Sequence, residues 1–410
     1  MLRAAVPPIM RPLRHRGFAF LWAASTLAVI GGAGASIATA WQILTMQGSA
    51  VDLGLLVALL TAANLVTLPL GGIVADRFPR ERILLVAALL SAFSSIGISA
   101  LIRFDLLQIW HLYALAVFFG VLASLRAPAS QAIRPTLLPK DDLLKGNALI
   151  ASSAHLVGMV GAALGGILVD LWGTSGAFAF QGALGAVSAL CLLGVRPSFA
   201  TEPASDQPRG SWLRPVGEGI AAVRRIPWVW GTIVLFAVGN AFAAASLNVA
   251  IPVRIRQELH LDATVLGTMN SAGAAGALVA ALVLGQARSV RQGGVVAFCG
   301  IILGGLALAA AGLQTTTFGL LAAAFFGWGG MAVFVLIWNS TLQRKIPANL
   351  LGRVSSVDSF GSLILVPVGV PLLSILVHRM GATDVLLGSG LAVVALALLA
   401  LALPTVRRWD

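Results

Sequence analysis

Long apolar runs dominate the chain, and short polar breaks interrupt them at fairly regular intervals. Twelve runs can be drawn, at about 18–41, 52–74, 83–102, 106–125, 147–171, 175–194, 228–251, 263–285, 294–312, 317–339, 355–377 and 384–403. Each is close to the roughly 20 residues that a helix needs to cross a hydrocarbon core of about 30 Å. None shows the alternation of a half-buried strand, so the pattern predicts helices, which satisfy their own backbone groups in lipid. The shortest break is Arg103-Phe104-Asp105. The first run is too long for a signal-peptide core and lacks a small-residue cleavage site, so it is read as a span.

The polar breaks carry their own bias. With the N-terminus placed inside, only Arg103, Arg254, Arg256 and Arg379 of the 27 Lys+Arg fall outside. Short cytoplasmic loops hold the excess of basic residues in membrane proteins. Both termini are therefore predicted to be cytoplasmic, in a bacterial inner membrane. A missed span would scramble this division.

Composition narrows the class. The 410 residues are 58% hydrophobic and 10% charged, with a mean hydropathy of +0.94. A soluble domain could not keep that much apolar surface from water. The formal charge of +12 does not imply a nucleic-acid partner, because the bases are spread over many short loops. Cys191 and Cys299 lie inside apolar runs and read as small buried hydrophobes, with no disulfide or metal framework. No catalytic constellation or phosphate loop is visible, so neither enzyme activity, a cofactor nor direct pumping by ATP is expected.

The chain repeats at an offset of 208 residues. Phe20 and Trp22 fall on Trp228 and Trp230, Pro139 on Pro347, Leu143 on Leu351, Lys145 on Arg353 and Gly161 on Gly369. The repeat predicts an N-terminal six-helix bundle at 1–195, a cytoplasmic linker at 196–227 and a C-terminal six-helix bundle at 228–410. Parallel repeats of this kind build transporters, with the substrate held between halves near the membrane midplane.

The densest charge lies in Gly71-Gly72-Ile73-Val74-Ala75-Asp76-Arg77-Phe78-Pro79-Arg80-Glu81-Arg82. An acid beside arginines at a helix end can make charge-assisted hydrogen bonds, or accept N–H groups at a neighbouring helix start. Such a contact would latch helix ends together in one state and break in another. Gly72 is expected to permit a close helix approach.

On these residues the chain resembles the major facilitator superfamily over its whole length. The family signature between spans two and three reads here as Gly72, Asp76, Arg77 and Arg80, with Pro79 where Gly is usual and Glu81 where a base is usual. A second signature, the glycine run of antiporters in span five, reads as Gly158, Gly161, Gly165 and Gly166, with Ala162 in place of its proline. The stretch Arg126-Ala127-Pro128-Ala129-Ser130-Gln131-Ala132-Ile133-Arg134-Pro135-Thr136-Leu137-Leu138-Pro139, followed by Leu143 and Asn147-Ala148-Leu149, is similar to bacterial exporters of the enterobactin and macrolide branch. The resemblance implies an all-α membrane fold of twelve helices in two pseudo-symmetric bundles. It also implies export of a small molecule by alternating access, coupled to protons.

The residues limit what that molecule is. The candidate cavity residues are Trp41, Gln42, Asn64, Asn240, Asn248, Asn270, Trp338 and Asn339, an apolar lining with a few amides. It suits an amphipathic, weakly charged compound such as a drug, siderophore or lipid-like metabolite. Ionisable groups inside a membrane are costly and mark function. Here they are few: Asp52, His155 and Asp358 are the proton-coupling candidates, and Asp170 closes span five. Asp358 with Arg353 is expected to answer Asp76 and Arg77 as a second latch. Trp22, Trp110, Trp172 and Trp228 read as interface anchors. The expected partners are a small-molecule substrate, protons and the bilayer, around a monomer. An importer or facilitator on the same fold, or a non-transporting receptor or scaffold, is the alternative; a scaffold would not need latches.

Overall fold

A computed structural model describes residues 8–196, 199, 223–224, 227–286 and 292–402, and among these it holds helices and no strand. Most of the expected linker, 196–227, lies outside the described residues. So do the side chains of Asp76 and Arg353.

The helices are α1 (Arg16–Thr45), α2 (Ala50–Arg77), α3 (Arg80–Arg103), α4 (Ile109–Leu137) and α5 (Lys140–Leu193). They continue as α6 (Trp228–Glu258), α7 (Ala263–Gly285), α8 (Gly293–Leu313), α9 (Thr317–Lys345), α10 (Ala348–Leu363), α11 (Val366–Met380) and α12 (Ala382–Ala402). Among the described residues, 11 helices are long and apolar enough to cross a membrane, with α10 and α11 forming one of them.

Helix α5 runs for 54 residues but breaks at Gly173, where φ is 70° and ψ is 175°. At 1.5 Å per residue it is about 81 Å long, enough for two crossings of a core about 30 Å thick. The expected spans five and six meet at this break. Its left-handed φ costs glycine nothing.

Spans seven and eleven are less regular than an apolar run suggests. In α6, Ser246–Ala250 and Arg254–Glu258 are π-helical and flank Pro252. The N–H of Leu259 donates to the carbonyl of Arg254 at 2.8 Å, five residues back. Between α10 and α11 the helix opens into a turn at 364–365. Pro367 follows at once and has no N–H to return to the preceding turn.

Three helices, α3, α5 and α10, start directly after a proline: Pro79, Pro139 and Pro347. A proline fixes φ and lacks a donor that would be orphaned at a helix start.

The chain groups into two compact units. One holds Met1–Thr39 and Ala62–Arg209, the other Ala40–Thr61 and Gly210–Asp410. In the first, Phe18, Leu21, Ala129, Ile133 and Leu137 form a core that is almost fully buried. In the second, Val229, Ile233, Phe298, Phe334 and Trp338 do the same. Helix α8 packs along α9 and α12, and α9 along α7.

Candidate functional site

The charged stretch between α2 and α3 corrects one expectation. Among the described residues, a Cβ placed on Gly72 would meet nothing within 4 Å, whereas one on Gly71 would overlap the carbonyl of Ser124 in α4. The close approach is therefore made by Gly71, because one residue of helix turns the side-chain direction by about 100°. Nearby, Thr67 donates to Ser124 at 2.8 Å and Asn64 to the carbonyl of Gly120 at 3.3 Å. Arg77 is exposed, and Arg80 donates to the carbonyl of Ala132 at 3.1 Å.

The stretch Arg126–Pro139 is helical as far as Leu137, so α4 outlasts the apolar run that defined its span. Arg134 donates to Asn147 on α5 at 2.9 Å, while its buried Nε has no partner among the described residues.

Asp142, unremarked in the sequence, is buried in the first turn of α5. Arg11 lies 3.5 Å away, His15 3.4 Å and Lys145 3.1 Å. His15 meets the ring of Phe199 edge-on, and the N–H of Phe199 donates to the carbonyl of Thr136 at 3.0 Å. This carboxylate gathers the N-terminal segment and the α4–α5 corner. Its sequence signal was the base three residues on and a place in the first helical turn, where the dipole favours acids.

The glycines of α5 divide. A Cβ on Gly161 would sit 2.6 Å from the carbonyl of Ile30, and one on Gly165 would overlap the backbone of Gly34. Gly158 makes only an ordinary contact with Val29, and Gly166 is buried.

The three coupling candidates have unlike surroundings. Asp52 accepts from the N–H of Ser49 at 2.6 Å and from its hydroxyl at 2.7 Å. That is a capping-box arrangement at the start of α2. His155 is exposed. Asp358 is half-buried and accepts from the indole N–H of Trp338 at 2.9 Å and from the hydroxyl of Ser362 at 3.4 Å.

Several expected cavity residues are engaged elsewhere. Trp41 is buried beneath Arg256, whose guanidinium lies 4.9 Å from the ring centroid, and Gln42 is buried beside it in sequence. Asn240 donates to the carbonyl of Ser362 at 2.9 Å, and Asn248 to that of Ala244 in its own helix. Trp338 is buried, Asn270 half-buried and Asn339 exposed. Two of the expected anchors also pack inside the protein. Trp22 donates to Ser153 at 2.8 Å, and Trp228 meets Trp338 edge-on at 5.6 Å. Trp110 and Trp172 are exposed.

Arg254, read as an outside loop charge, lies within α6 and is buried. It donates to the carbonyls of Ala311 at 3.1 Å and Gln314 at 2.8 Å, to Glu258 at 2.8 Å and to Thr383. Glu258 also accepts the N–H of Ala382 at 2.6 Å. A guanidinium with every arm occupied can be buried, which lets α6 run past its apolar stretch.

Residues 21–369 match a family model described as the Major Facilitator Superfamily. The enterobactin exporter EntS of Citrobacter koseri is 27% identical over 397 residues, which cover 94% of this chain and 92% of that protein. The enterobactin exporter EntS of Salmonella choleraesuis is 27% identical over 408 residues, 96% of this chain and 94% of that one. Among solved structures, a mutant of the nucleoside transporter NupG superposes with a TM-score of 0.76 at 14% identity, covering 94% of this chain and 99% of that chain. A bacterial homologue of the human lysosomal transporter Spinster, inward-facing and unoccupied, gives 0.71 at 14% identity, with 97% and 96% covered. At such identities the two structures share a fold with this chain, and a shared fold does not carry the cargo with it.

Proposed function

The chain belongs to the Major Facilitator Superfamily and is a multi-pass membrane transporter of small molecules, and from that premise we propose that it exports an amphipathic compound by proton-coupled alternating access. What carries the direction of transport is the end-to-end match with proteins named enterobactin exporter. The compound belongs to the class of siderophores, drugs or lipid-like metabolites. The spans carry few ionisable groups, and a large, weakly charged body suits such an interior better than a small ion.

The rest of the reading follows the residues. We read twelve spans, with the break at Gly173 separating the fifth from the sixth; an even number keeps both termini on one side, and the bias of basic residues makes that side the cytoplasm of a bacterial inner membrane. The protein works as a monomer. The latch is the group Asp76, Arg77 and Arg80, with Gly71 rather than Gly72 making the close helix contact beside it, and with Arg353 and Asp358 as its second-half counterpart. Among the coupling candidates Asp358 is favoured. Asp52 is committed to a helix cap, and His155 is exposed.

The test is uptake into inside-out membrane vesicles with an acidic lumen, screened over siderophores, macrolides and lysolipids. Accumulation of one class above vesicles lacking the protein supports export. Accumulation only in right-side-out vesicles would make the protein an importer.

A further inference from the structure

Asp358 is a carboxylate on a membrane-spanning helix, and the groups that meet it are neutral donors. The indole N–H of Trp338 reaches one oxygen at 2.9 Å, and the hydroxyl of Ser362 the other at 3.4 Å. Among the described residues no cation pairs with it.

The elements packed against α10 are α6 and α9. The charged residues of α6, Arg254, Arg256 and Glu258, lie at its far end, more than two turns beyond Asn240, and Arg254 and Glu258 hold each other. Those of α9 are Arg344, which is exposed, and Lys345, whose ammonium lies 5.9 Å from the ring centroid of Trp228. The other charge on α10 is Arg353, whose side chain lies outside the described residues.

Two helices meet at this acid, and a third is bonded to its neighbour Ser362. Trp338 comes from α9 and is itself fixed, with Trp228 edge-on at 5.6 Å and Phe334 stacked at 6.0 Å. Asn240, from α6, donates to the carbonyl of Ser362 at 2.9 Å. Ser362 stands two residues before the turn at 364–365 that separates α10 from α11. Asp358 thus joins α9 to α10 within two turns of a break in the helix, and discontinuous helices are where transporters build their substrate and ion sites.

We propose that Trp338 is a positioning residue for Asp358: its indole N–H holds the ionised carboxylate between α9 and α10, and proton uptake by that carboxylate releases α9.

An indole N–H only donates, and so does a newly formed carboxylic O–H when it points at the same place. A carboxylate accepts at both oxygens, whereas the protonated acid gives up acceptor capacity and gains a donor. Hydrogen bonds to a charged group are also stronger than those to its neutral form. The Trp338 contact is therefore worth more before protonation than after it. That difference is what a coupling step requires, because an event shifts a conformational balance only by the difference it makes between two states. The step makes one O–H bond, with a proton taken from water, and later breaks it, with the proton returned to water.

The inference rests on proton-coupled export for its purpose, but its test does not need transport. The protein is reconstituted in lipid and titrated by infrared difference spectroscopy, following the protonated-carboxyl band. We expect a band that titrates in the wild type and is missing in Asp358→Asn. In Trp338→Phe, which keeps an aromatic ring and loses the N–H, protonation should begin at a pH about one unit higher, tenfold in proton affinity. A wild-type measurement guards against a misfolded variant: the indole 15N–1H resonance of Trp338 should move with the midpoint of the Asp358 band. An unchanged midpoint in a folded Trp338→Phe protein, an indole signal indifferent to that midpoint, or no Asp358-dependent band at any pH would overturn the inference. If the titration behaves as expected while export ignores the pH gradient, the export reading fails and the Trp338–Asp358 inference stands.

Discussion

Gly161 and Gly369 stand 208 residues apart and play the same part in two different units. Gly161, on α5, faces the carbonyl of Ile30 on α1, and an added Cβ would lie 2.6 Å from it. Gly369, on α11, faces Ala241 on α6, and an added Cβ would lie 2.7 Å from that side chain. In each unit a glycine brings the unit's fifth span against its first, at a distance no larger residue allows. Without a hydrophobic drive between helices in lipid, such close van der Waals contact is a main source of association.

The same reasoning separates two neighbouring glycines. Replacing Gly72 by Ala should not lower the melting temperature of the purified protein, since among the described residues the new methyl meets nothing within 4 Å and alanine favours a helix over glycine. Replacing Gly71 by Ala should lower it clearly. The methyl would collide with the backbone of Ser124, which has no flexible end to yield, and overpacking costs typically 1–3 kcal/mol. Equal melting temperatures for the two variants would refute the packing assigned to this turn.

Asp52 gives a second test. Asn accepts hydrogen bonds as Asp does, so Asp52→Asn should keep both the cap on α2 and transport, whereas Asp52→Ala should cost about 1 kcal/mol of stability, as lost caps do. A strong transport defect in Asp52→Asn with unchanged stability would return Asp52 to the coupling candidates.

Arg254 should not tolerate lysine. A single ammonium cannot reproduce a fork that serves Ala311, Gln314, Glu258 and Thr383 together, and at forked sites the exchange is not conservative. Arg254→Lys should lower the melting temperature by several degrees. Arg256→Lys keeps a cation over Trp41 and should have a smaller effect. Calorimetry on both variants decides the order.

These residues also show what the sequence could reveal. The spans were legible because apolar length is set by the thickness of the membrane and survives any detail of packing. The break at Gly173 was legible too, between runs ending at 171 and starting at 175. The irregularities inside spans were not. Nothing in an apolar run says that Ser246–Ala250 is π-helical or that the helix opens at 364–365, because both depend on which carbonyls find donors. The amides misled for a related reason. Asn64 and Asn240 are polar residues in a membrane, but a helix rotated by one position decides whether they face a cavity or a neighbour's carbonyl, and both face carbonyls. Asp142 and Arg254 each have one partner close in sequence, Lys145 and Glu258, but the others, from Arg11 to Thr383, are distant, and those hid the two sites.

Topology is open to direct measurement. A single cysteine introduced at Ser205, in a protein whose Cys191 and Cys299 are replaced by serine, should react with a membrane-impermeant maleimide only after the cytoplasmic face is exposed. Labelling in intact cells would reverse the orientation drawn from the basic residues.

Proton-driven export is the central claim, and one experiment meets it directly. Inside-out vesicles carrying the protein are given an acidic lumen and the best substrate from the screen, radiolabelled. The pH gradient is then collapsed with an electroneutral potassium–proton exchanger while the membrane potential is held. Accumulation should fall to that of vesicles lacking the protein, and should fall equally in Asp358→Asn before the gradient is removed. Accumulation that continues undiminished after the gradient is gone would contradict obligatory exchange for protons.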